Sequence, residues 1–79
     1  MRRAIANRDA HRKIGQWLKE KREAAGLTQV QLAKKLGRRR SYVAKYEAGQ
    51  RVEIVQFVVI ARVVKADPRE GIQLLMPGR

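Results

Sequence analysis

Apolar positions recur along this chain at helical spacing, and nowhere is a period-2 alternation sustained. Ile14, Trp17, Leu18 and Ala25 form a first stripe, with Lys13, Lys19, Glu20 and Glu23 on the other face. Asn7 or Asp9 is placed to cap that helix, and Gly26 to end it. "TQVQ", residues 28–31, has the spacing of a capping box, in which Thr28 accepts from a free backbone N–H and Gln31 reaches back. The helix it opens carries Leu32, Ala33 and Leu36 inward and stops at Gly37. A third helix is predicted over roughly 39–48, ended by Gly49, so only a short turn separates the two.

"RVEIVQFVVIARVVKA" is β-branched enough to suit a strand. Its long run without Gly, Pro or polar alternation favours a buried helix instead. Asp67-Pro68 then reads as N-cap and first residue of a last short helix, and Pro77-Gly78 closes the chain. The expected fold is therefore all-α, four or five short helices with a helix-turn-helix at 28–48. Residues 1–8 are expected to be a basic arm, 9–76 one domain and 77–79 a tail.

Charge adds what periodicity leaves out. Nineteen Lys and Arg against seven Asp and Glu give a net +12 on 79 residues. Solubility does not need so lopsided a balance, and the excess points to a polyanion. The length allows one domain with a marginal core, burying about 60% of the surface the unfolded chain exposes. There is no cysteine to reinforce it, and oligomerisation is a natural supplement. The longest apolar run, Phe57–Ala61, is too short to span a membrane, and "MRRAIANRDAHR" lacks the apolar segment of a signal peptide. A cytoplasmic, nucleoid-associated protein is the expectation.

"GRRRSYVAKYEAGQ", residues 37–50, sets Arg38, Arg39 and Arg40 side by side at the mouth of the third helix. On a helical wheel Val43 and Tyr46 point one way, and Arg40, Ser41, Ala44, Lys45 and Ala48 the other. Small side chains let that face approach another surface closely. Arg can bind guanine O6 and N7 bidentately, and Ser suits several acceptors. Three cations that repel one another in isolation are compatible when they lie against phosphates, and a helix N-terminus adds its own positive end.

These residues carry a resemblance. "LTQVQLAKKLGRRRSYVAKYEAGQR", residues 27–51, resembles the helix-turn-helix of the XRE family, the lambdoid phage repressor and Cro type. Gln29, Ala33, Gly37, Val43, Glu47 and Gly49 stand at the family spacing, and the likeness extends over about 12–70. It implies base contacts from Arg39, Arg40, Ser41 and Lys45. It implies backbone contacts from Thr28, Gln29, Arg38, Tyr42 and Arg51, and a structural ion pair between Arg22 and Glu47. Two positions depart from the pattern: where the family usually has an apolar residue and a Ser or Thr cap, this chain has Arg38 and Arg39.

The function implied is sequence-specific binding of double-stranded DNA by a homodimer, most simply a repressor reading an inverted repeat. An apolar fourth helix needs a second neighbour, which puts Val58, Val59, Leu74, Leu75 and Met76 at the dimer interface. The alternatives are an RNA- or ribosome-associated module, for which exposed stacking aromatics are scarce, and an antitoxin-type interaction module. Trp17 reads as core rather than as a stacking platform. Arg2 and Arg3 read as a solvated tail, with a minor-groove arm as the other possibility. His11 has no companion ligands for a metal, and no nucleophile-base set or phosphate loop suggests an enzyme. No cofactor, small-molecule ligand or membrane partner is expected.

Overall fold

The computed structural model describes residues 3–76, with side chains from residue 8 onward. Among them five helices and no strand occur: α1 (Arg3–Ala24), α2 (Gln29–Leu36), α3 (Arg40–Glu47), α4 (Ile54–Val63) and α5 (Pro68–Gln73). The expected arm boundary at residue 8 falls inside α1. Residues 3–14 contain no Gly or Pro but three alanines and three arginines, all strong helix formers, so nothing stops the helix there. Neither Asn7 nor Asp9 is therefore an N-cap; Asp9 lies 3.5 Å from Lys13 one turn on. A minor-groove role for Arg2 and Arg3, and the tail 77–79, lie outside the described side chains.

One core joins all the helices. Ile14, Trp17 and Leu18 of α1 meet Leu32 and Ala33 of α2, Val43 and Tyr46 of α3, and Phe57, Ile60 and Ala61 of α4, with Val64 just beyond. Ala25, expected on the α1 stripe, is exposed past the helix end; Arg22 takes the buried place instead. Two glycines set the closest approaches. A Cβ on Gly15 would collide with the backbone carbonyl of Tyr46 and come within 3.2 Å of that of Glu47, so α1 and α3 cross backbone to backbone. A Cβ on Gly71 would lie 2.8 Å from Phe57 and 3.0 Å from Trp17, whose rings stack tilted at 5.8 Å.

Four helices end in the same way. After α1, α2 and α3 the chain turns left-handed at Gly26, Gly37 and Gly49, and in each case two backbone N–H groups bond back into the last turn. After α4 the same pair of bonds, Lys65 N to Arg62 O at 3.0 Å and Ala66 N to Ala61 O at 2.8 Å, forms around Lys65 at φ +61°. These are Schellman motifs, and Lys65 occupies the place that glycine fills with least strain.

Starts differ more. Thr28 makes the full capping box, with Gln31 N donating to its hydroxyl at 3.0 Å and its own N donating to Gln31 Oε1 at 2.9 Å. Asp67 caps α5 by accepting from Arg69 N at 2.9 Å. Arg39, at the N-cap of α3, makes no side-chain capping bond. Its predecessor Arg38 instead lies over the Tyr42 ring, 4.3 Å from the centroid, fastening the turn to the helix from outside.

Candidate nucleic-acid interface

Burial sorts the faces of α3. Val43 and Tyr46 are buried and Tyr42 is half-buried, whereas Arg40, Ser41, Lys45 and Ala48 are exposed and Ala44 is partly so. The outer face is thus two cations, a hydroxyl and two methyl side chains. Arg38, Arg39 and Arg51 are exposed at its ends, and Thr28 and Gln29 open α2 alongside.

Behind this face lies a chain of hydrogen bonds. Arg22 Nε donates to Glu47 Oε2 at 2.7 Å, Arg22 Nη2 to Glu47 Oε1 at 3.2 Å, and Arg22 Nη1 to the Leu27 carbonyl at 2.8 Å. The side chains of Arg22 and Glu47 are 9% and 4% exposed, so the bidentate pair sits in the interior between α1 and α3. The hydrogen bonds to Glu47 raise the pKa of Arg22 further above its ordinary value, against the desolvation that lowers it. Gln29 Nε2 donates to Glu47 Oε1 at 2.9 Å, which turns its carbonyl outward. Arg40 Nη1 donates to that Gln29 Oε1 at 3.0 Å. A buried ion pair is thus linked through one amide to an arginine on the exposed face.

The family resemblance implied the pairing of Arg22 with Glu47, which the structure contains, but it assigned Gln29 only to a backbone-contacting role. Its bridging position was not visible, because it depends on where α2 crosses the end of α3. The second aromatic contact was equally hidden: Tyr42 meets the buried Tyr46 edge-on at 5.4 Å while Arg38 covers its face. Burial pushes the Tyr42 hydroxyl up, with Arg38 pulling it back and Glu53 adding to the rise. Burial also pushes the Tyr46 hydroxyl well above its ordinary range, and that group finds no hydrogen-bond partner among the described residues.

α4 and the chain end present an apolar surface. Ile54 and Val55 are 62% and 67% exposed, and Val59, Leu74, Leu75 and Met76 are exposed as well. Val58, by contrast, is partly buried against the domain's own core. Ile54, Ile72 and Leu75 line a shallow apolar groove with Phe57, beside His11. Ile54 and Val55, at the first turn of α4, were missed as surface residues because the whole helix is apolar and its register could not be read from contrast.

Among the described residues there is no cluster of metal-ligating side chains and no helix long and apolar enough to cross a membrane. A family model described as helix-turn-helix (HTH_3) matches residues 18–70. No curated protein and no solved structure matches the chain.

Proposed function

The chain belongs to the helix-turn-helix family of DNA-binding regulators, and from that premise we propose that it acts as a homodimeric repressor reading an inverted-repeat operator in the major groove. The observation that carries this is the face of α3: Arg40, Ser41 and Lys45 exposed around small residues, with Arg40 tethered to Gln29. In this reading Arg39, Arg40, Ser41 and Lys45 contact bases and Thr28, Gln29, Arg38 and Arg51 follow the backbone, while Tyr42 serves that contact only through its ring, beneath Arg38. The buried positions of Trp17, Phe57 and Tyr46 support a duplex partner over single-stranded RNA, which needs aromatic platforms at the surface. A cytoplasmic, nucleoid-associated location goes with this reading.

Dimerisation follows from reach. One recognition helix covers too few base pairs for genomic specificity, and proteins of this kind read two half-sites about 34 Å apart. The exposed apolar residues Val59, Leu74, Leu75 and Met76, with the edge of Val58, supply the surface for a second copy, and Ile54 and Val55 extend it.

Selection of bound sequences from a random duplex pool tests the reading. An inverted repeat is expected, and Arg40→Ala should cost about 1–3 kcal/mol and relax preference at one base pair per half-site. A dimer touching about eight phosphates should show a log-log salt slope near −7, and Leu75→Glu should leave a folded monomer with weak binding. A pool that yields no consensus, or a wild-type monomer protecting a single half-site, would overturn it.

A further inference from the structure

Arg38 stands in the turn in front of a helix with no side-chain cap. Its guanidinium carbon lies 4.3 Å above the centroid of Tyr42. Tyr42 is not a free side chain: its ring meets Tyr46 nearly perpendicularly, and Tyr46 is fully buried in the core. The stack therefore runs from the core through two rings to an exposed cation. A guanidinium lying on an aromatic face keeps its N–H groups directed outward round its edge, available to an anion.

The surroundings suit the same ligand chemistry. Arg38 and Tyr42 line one groove with Arg51, Val52, Glu53 and Gln56. Two cations face it against the single carboxylate of Glu53. The groove opens beside the N-terminus of α3, on the flank of the base-reading face rather than within it.

Resting on the DNA-binding reading above, we infer that Tyr42 is a positioning residue: its ring holds Arg38 as a preset phosphate ligand, and its hydroxyl does not touch DNA. Arginine left free on a surface loses rotamer freedom when it binds a phosphate, and the stack has already removed much of that freedom. The same contact fastens α3 at the end where a cap is missing, so one side chain both holds the helix start and presents a cation to phosphate.

Binding of the full chain to a mixed-sequence DNA duplex, measured across a salt series, tests this, because a phosphate contact needs no operator. Arg38→Ala is expected to weaken binding about tenfold and to make the log-log salt slope shallower by about 0.9. Tyr42→Phe, which keeps the ring, should match the wild type in affinity and slope. Tyr42→Leu should weaken binding about two- to tenfold with the slope unchanged, since the cation remains. In the Arg38→Ala background Tyr42→Leu should add nothing. Melting of each variant is followed alongside; should Tyr42→Leu unfold, the Tyr42→Phe and Arg38→Ala arms still decide. An unchanged slope in Arg38→Ala overturns the phosphate contact. A loss in Tyr42→Phe equal to that in Tyr42→Leu overturns the positioning role and assigns the hydroxyl to DNA. A wild-type chain that binds no duplex at all overturns the DNA-binding reading itself, and this inference with it.

Discussion

Arg22→Ala is expected to cost this domain about 3–5 kcal/mol, although it removes no hydrophobic side chain from the core. The structure sets the size. Arg22 makes three hydrogen bonds, two to Glu47 and one to the Leu27 carbonyl, from a side chain only 9% exposed. Its removal leaves the Glu47 carboxylate, 4% exposed, with Gln29 Nε2 as its remaining donor. A buried charge that loses its counter-ion costs far more than an exposed pair, which is worth about 0–1 kcal/mol. A domain of this length has roughly 4–12 kcal/mol in total, so the variant should sit near the edge of folding. The melting temperature should fall by roughly 15–30 °C.

Thermal and urea unfolding of Arg22→Ala, Glu47→Ala and the double variant form the decisive cycle. Once one partner is gone the other has little left to lose, so the double variant should be well short of the sum, with a coupling above about 1 kcal/mol. Replacing both by apolar residues, Arg22→Met with Glu47→Leu, should restore most of the stability. Additive losses would mean that the two charges do not interact in solution. The pH dependence has a definite sign: the Arg22 pKa is raised on folding, so its contribution is complete below the unfolded value and is lost only as pH rises past it. The coupling should therefore be flat across the neutral range.

Gly15→Ala should destabilise by about 1–3 kcal/mol in spite of alanine's better helix propensity, because the new methyl meets two backbone carbonyls of α3 that cannot rotate away. A urea midpoint at or above that of the wild type would deny the close crossing. Tyr46→Phe should be neutral or stabilising by about 1 kcal/mol, since it deletes a buried hydroxyl without a partner; a loss above that size would show that the hydroxyl is bonded. Lys65→Gly should stabilise by about 0.5–1 kcal/mol by relieving a left-handed backbone, and a destabilised variant would place Lys65 outside that region in solution.

Helices α2 and α3 were legible nearly to the residue because their punctuation is chemical. Thr28, Gln31, Gly37 and Gly49 announce a start and two stops, and the structure uses each in that role. The end of α4 was not, because Lys65 does the work of a glycine without being one. The start of α1 was misplaced since two capping residues, Asn7 and Asp9, suggested a boundary that an uninterrupted run of helix formers overrides. Within the candidate site, wheel geometry separated Arg40, Ser41 and Lys45 from Val43 and Tyr46, because an eight-residue helix has only one way to bury its two large apolar side chains. What periodicity could not supply is anything set by a crossing of two elements: the Gln29 bridge, the Gly15 contact with α3, and the placing of Arg38 on Tyr42.

Those crossings show why fold and interface cannot be separated in so small a domain. α3 is eight residues long, too short to be stable by itself, and it lacks a side-chain cap. It is held at one end by Glu47 against Arg22 and at the other by Tyr42 under Arg38. Each anchor continues outward to a cation on the exposed face, the first through Gln29 to Arg40, the second in Arg38 itself. A substitution in either anchor therefore alters the posture of a surface arginine as well as the stability of the helix that carries it. Loss of DNA affinity in such a variant reports on position only when its folded fraction at the assay temperature is known, whereas Ser41 and Lys45, outside both chains of contacts, can be replaced to test the proposed interface alone.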